Sequence, residues 1–260
     1  VRGPALRTQV GQLALRSVLR TARQPAQIVP ALVFPLFLLA VNTGGLDAAT
    51  RIPGFPTDSY LAFALAVPFI QGGLFAVMNG GTDLARDIET GFLDRLALTP
   101  LSGLGLVAGQ LAGVLALGGV SAILYTIVGL AAGATLQAGV AGFLVLLALS
   151  LAIALAFGAI GMFAALRLGN GEAVQGMFPV LFVFLFLSSM SLPRNLIETD
   201  WFRTVATYNP VSYLIEGVRS FFVTGWDGEA LALAFGIAAA IAALFLTAAS
   251  LSLRTRLVRT

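Results

Sequence analysis

The densest run of reactive side chains lies at 83–96, where Asp83, Asp87, Glu89 and Asp94 alternate with Arg86 and Arg95. Carboxylates and guanidiniums in such a run can pair charges with each other or with a partner. Leu84, Ile88 and Phe92 recur every four residues, so the run can lie on a membrane surface with its charges toward water or a partner. The alternative is a solvated loop whose acids temper its arginines. Thr99-Pro100-Leu101-Ser102 then breaks the run. A second patterned segment starts at Asn209-Pro210, an N-cap followed by proline at the first helical position. Leu214, Val218 and Phe221 or Phe222 form its apolar stripe, and Glu216 can meet Arg219 at i, i+3.

Absent residues narrow the chemistry. The 260 residues include no Cys, His or Lys, and all 15 basic residues are Arg. Thiolate and imidazole metal sites, disulfides and the common nucleophile–base pairs are therefore excluded. So are a Walker A lysine and a Schiff base. Any ATP used must be hydrolysed by another chain. Exclusive use of Arg also points to a GC-rich, bacterial genome.

These charges must be positioned by membrane helices. Apolar residues make up 58% of the chain and charged residues 10%, with a mean hydropathy of +0.94; soluble domains carry about 25% charge. A spanning helix needs about 20 apolar residues. Charge-free intervals place six spans, near 26–43, 59–81, 105–131, 140–165, 174–192 and 230–252. The reading is a single all-α polytopic membrane domain over 1–260. Eleven arginines fall on the side of the termini and four on the other, which puts both termini in the cytoplasm. Residues 1–23 lack the pattern of a cleaved signal peptide. They read as an amphipathic interfacial helix whose arginines meet lipid phosphates, the alternative being a basic flank that sets topology. The connection before the last span reads as a structured, helical, external segment.

The spans hold amides and hydroxyls but no ionisable group at depth, which disfavours an ion-coupled carrier. Gln71, Phe75 and Asn79 stand four apart on span two, and Phe178, Phe182 and Phe186 on span five. Either stripe could line a pathway; helix packing or lipid contact is the alternative. Gly105, Gly109 and Gly113 form a small-residue stripe for close helix packing on span three.

At the two patterned segments the chain resembles the permease subunits of ABC-2 type ATP-binding cassette exporters, especially the bacterial drug-resistance branch. Asp87, Glu89, Gly91 and Leu96, then Thr99, Pro100, Ser102 and Gly109, follow the family's acidic segment and its break. Asn209, Pro210, Tyr213, Glu216 and Arg219 follow its asparagine-proline helix. Ile88 and Gln110 depart from it, standing where many members carry a basic residue. The resemblance implies a bacterial plasma-membrane exporter of hydrophobic or amphipathic molecules or lipids. A polysaccharide or glycolipid exporter and a non-transporting scaffold are the alternatives. It further implies a second permease chain, identical or related, and two ABC ATPase subunits that bind ATP and Mg. This chain would hold no cofactor or metal and bind no nucleic acid. Arg86, Asp87, Glu89, Asp94 and Arg95 would transmit ATPase movement, and Gly91 would permit close approach.

Overall fold

The computed structural model describes residues 6–93 and 103–257. The described chain is predominantly helical, with no strand. Helix α1 (Leu6–Ala22) precedes α2 (Pro25–Leu46), and a short 3₁₀ turn leads to α3 (Tyr60–Ala64) and α4 (Ala66–Glu89). Then come α5 (Gly103–Ala131), α6 (Gly139–Leu168), α7 (Gly171–Gly176) and α8 (Phe178–Phe186). Helices α9 (Asp200–Tyr208), α10 (Pro210–Val223) and α11 (Gly228–Leu257) complete the chain.

Among the described residues, five segments are long and apolar enough to cross a membrane: Pro25–Arg51, Tyr60–Glu89, Val107–Ala131, Gly139–Leu168 and Gly228–Leu253. The expected span at 174–192 differs. It is carried by α7 and α8, sixteen mostly apolar residues from Gly171 to Phe186 that break at Met177 ahead of Pro179. Sixteen helical residues cover about 24 Å, short of a hydrocarbon core of about 30 Å. The chain nevertheless runs from one end of the bundle to the other here. The Gly171 amide donates to Glu89 at the end of α4 (2.9 Å), whereas the Ser189 carbonyl meets Arg219, which also holds Phe63 near the start of that rod.

Helix α4 is the central element, packing on α6, α5 and α2. Contact with α6 is close because Gly161 has no side chain: a Cβ there would lie 2.2 Å from the Val77 carbonyl oxygen. Helix α2 carries two internal prolines, Pro30 and Pro35. Pro35 cannot donate to the Ala31 carbonyl one turn back, and the Tyr125 hydroxyl of α5 reaches across to fill that acceptor.

Both described chain ends lie at one end of the bundle. There Leu84, Ile88 and Leu93 pack with Leu166, Ala249 and Leu253 in one apolar cluster. This is called the terminal end below, and the end around Phe63 and Arg219 the far end.

Candidate functional site: a buried ion-pair cluster and a capped far end

The sequence spaces Arg16 and Arg20 four apart on α1, and Asp83 and Asp87 four apart on α4. Residues four apart share a helix face, so two helices lying side by side can match both pairs. They do. Both terminal nitrogens of Arg16 reach the Asp87 carboxylate, at 3.2 and 3.0 Å. Arg20 bridges the two acids, with Nη1 2.9 Å from Asp87 and Nε 3.1 Å from Asp83. The Gln110 amide of α5 donates to Asp87 at 2.6 Å, and Gln24 donates to Asp83 at 3.3 Å. Two cations meet two anions, so the cluster carries no net charge, and each buried carboxylate has several donors.

Two of the stripe glycines let α1 come this close. A Cβ on Gly109 would lie 2.4 Å from the Leu13 Cβ, and one on Gly113 2.6 Å from the Ser17 hydroxyl. Ser17 donates to the Gln110 carbonyl at 2.9 Å. Gly105 lies within α5. The glycine stripe thus packs against the N-terminal helix, and Arg16 and Arg20 turn inward to carboxylates, not outward to lipid. Arg16 also sits over the Phe92 ring, 4.0 Å from its centre.

The other expected coupling residues divide. Asp87 is 3% exposed, so its charge is spent inside the chain. Arg86 and Glu89 are exposed. Gly91 has a φ of 64°, which turns the chain out of α4, and a Cβ there would meet nothing within 4 Å among the described residues. Asp94 and Arg95 lie outside the described residues. Arg16, Arg20, Arg23 and Arg86 line a groove of about 680 Å³ with Leu15 and Leu19. Arg23 and Arg86 make no ion pair among the described residues.

At the far end, Asn209 does two jobs. Its side-chain oxygen accepts from the Val211 amide (3.0 Å), capping α10 above Pro210. Its nitrogen donates to the Phe184 and Leu187 carbonyls (2.6 and 3.0 Å), closing the end of α8. The expected Glu216–Arg219 pair does not form. Glu216 accepts from Arg194 (2.6 Å) and from Ser189 (3.1 Å), both in the connection after α8. Arg219 is buried and donates to the carbonyls of Phe63, Ser189 and Met190, with its guanidinium 3.5 Å from the centre of the Phe63 ring. Helical i, i+3 spacing was open to this pair, but the carbonyls of Phe63, Ser189 and Met190 draw Arg219 inward. Burial pulls the Arg219 guanidinium below its ordinary pKa, with Glu216 and Tyr60 opposing. Burial also lowers Arg194, but Glu216 and Tyr213 together outweigh it and hold Arg194 above its usual value. Tyr213 stacks under Arg194 and donates to the Thr207 carbonyl at 2.8 Å.

The family model of the ABC-2 type transporter matches residues 8–223, from the cluster at the terminal end to the last turn of α10. The chain belongs to the ABC-2 type transporter family. It is therefore a multi-pass membrane transport permease subunit of a family that works with an ABC ATPase and has no ATPase site of its own. Among curated relatives, "Putative transport permease ycf38" of Porphyra purpurea is 26% identical over 223 residues, 84% of this chain and 76% of that protein. The protein of the same name from Pyropia yezoensis is 27% identical over 224 residues, 82% and 74% of the two chains.

In this ABC-2 permease the aromatic stripes of spans two and five meet. Phe75 lies 5.2 Å from Phe178, and Phe178, Phe182 and Phe186 follow at 4.7 and 5.9 Å between ring centres. Phe34 of α2 touches Phe75 and Phe182 from the other side, at 6.3 and 6.2 Å. The two amides separate. Gln71 is fully packed inside the bundle, whereas Asn79 lines a cavity between α2, α4 and α7. Sequence reasoning missed Arg16, Arg20 and Gln110 as partners of Asp87. The matched i, i+4 spacing of opposite charges on two helices was the available signal.

Proposed function

We propose that this chain is half of the membrane portion of an ATP-driven exporter of hydrophobic or amphipathic molecules, in a bacterial plasma membrane with cytoplasmic termini. A second permease chain completes the pathway. Two separate ABC ATPase subunits bind ATP and Mg and drive alternating access. The observation that carries this reading is the ion-pair cluster. Arg16 and Arg20 tie α1 to α4 and, through Gln110, to α5. A push on α1 therefore moves two spanning helices together.

The roles divide by exposure. Exposed Arg23 and Arg86, in a groove with no acid among its described lining residues, suit an acidic face on the ATPase. Glu89 meets the partner on the same side while its carboxylate holds the start of α7. Asp87 transmits from within. In proteoliposomes carrying the permease and its ATPase, Glu89→Ala is expected to assemble and hydrolyse ATP with reduced transport per ATP. Unchanged coupling in that variant and in Arg86→Ala would overturn the assignment.

A further inference from the structure

The cavity between α2, α4 and α7 holds about 230 Å³ and is lined by Ala26, Gln27, Pro30, Phe75, Met78, Asn79, Thr82 and Gln175. Its mouth is formed by exposed Ala26, Pro30 and Gln175, and its floor by Asn79, which is 6% exposed. The Asn79 amide nitrogen is buried and has no hydrogen-bond partner among the described residues. A buried donor left unmade is costly, and folded proteins keep few of them. None of the described lining residues is charged. Phe75 continues from this floor into the ring ladder through Phe178 and Phe182, which leads toward the far end.

We infer that this cavity binds an uncharged amphiphile, which offers a carbonyl or hydroxyl oxygen to Asn79 and lays its apolar part along Phe75 and the ring ladder. Gln27, Thr82 and Gln175 supply further neutral donors and acceptors. An ionised headgroup would lose its hydration here and find no counter-charge. A neutral acceptor loses less and satisfies the Asn79 donor. This deepens the exporter reading by naming a cargo class, and it rests on that reading only for the direction of movement.

The test needs no ATPase. The full permease, in phosphatidylcholine nanodiscs at pH 8, is saturated with radiolabelled dodecanamide and competed with unlabelled dodecanamide, dodecyltrimethylammonium or dodecanoate. The neutral amide is expected to compete about tenfold better than either ion, the value of one hydrogen bond. Asn79→Leu is expected to weaken amide binding about tenfold, with thermal stability equal or higher because an orphan donor is gone. Thr43→Val, which removes another buried unpaired group on α2 away from the cavity, is expected to leave binding unchanged. Equal competition by all three amphiphiles would overturn the inference even if no variant assembles. Unaltered amide affinity in a folded Asn79→Leu would overturn it as well. ATP-driven export that persists beside either result would leave the exporter reading intact and remove only this site.

Discussion

Replacing Asp87 with Asn keeps the shape of the side chain and removes the charge that two arginines share. Breaking a buried ion pair from one side costs about 3–5 kcal/mol, because the remaining charge stays desolvated. Here the Arg16 side chain is 38% exposed and that of Arg20 17%. Water screens the Arg16 part, so most of the loss falls on Arg20, which retains Asp83 as partner. The lower end applies, about 3 kcal/mol, or more than a hundredfold in the equilibrium for lifting α1. Because the cluster joins α1 to the bundle, the loss should appear as local opening of α1, not as global unfolding. Hydrogen exchange on the purified permease reads this directly. Amides of α1 should lose about two decades of protection in Asp87→Asn, while those of the α4–α6 contact change little. Protection of α1 within threefold of the parent would refute the claim that the cluster holds this helix.

Three further outcomes follow from the packing. Gly161→Ala places a methyl on the Val77 carbonyl, backbone that cannot turn aside. It should lower the midpoint of thermal unfolding more than Gly119→Ala, whose new methyl would lie 3.6 Å from the tip of the Leu151 side chain; the cost is about 1–3 kcal/mol or more. Asn209→Asp keeps the cap on α10 but sets a carboxylate against the Phe184 and Leu187 carbonyls. It should therefore destabilise more than the ~1 kcal/mol of a lost cap, read as protease sensitivity after α8. Arg219→Lys loses the planar fork that spans three carbonyls and the stacking on Phe63. Its folded yield should fall well below that of the parent, and a normal yield would show that the fork is dispensable.

The fold was largely legible in the sequence. Charge-free intervals located the long spans because charges are expelled from apolar depth, and Asn209-Pro210 marked the start of α10 through local backbone chemistry. What could not be read were contacts set by tertiary approach. Arg16 and Arg20 meet Asp87 across 71 and 67 residues of sequence. The matched i, i+4 spacing of the two charge pairs allows that pairing, but it competes with lipid phosphate until Gly109 and Gly113 bring α1 against α5. Glu216 and Arg219 were open to each other by spacing, yet the connection after α8 supplies closer partners to both. The fifth span looked continuous by hydropathy. Its helix starts at Gly171, breaks at Met177 and ends at Phe186, where Asn209 takes the last carbonyls. Of the pathway stripe, the ring-to-ring contacts of Phe75 with Phe178 depended on how α4 and α8 pack, and the same packing left Gln71 inside and Asn79 at a cavity.

The most direct test of ATPase-driven transport is a tagged purification of the permease from its native membranes in mild detergent. Mass identification and an ATPase assay on the co-eluting proteins complete it. The account predicts a stoichiometric ABC ATPase whose turnover responds to hydrophobic compounds and loses that response in Asp87→Asn. Reproducible absence of any such subunit from the folded permease would contradict it.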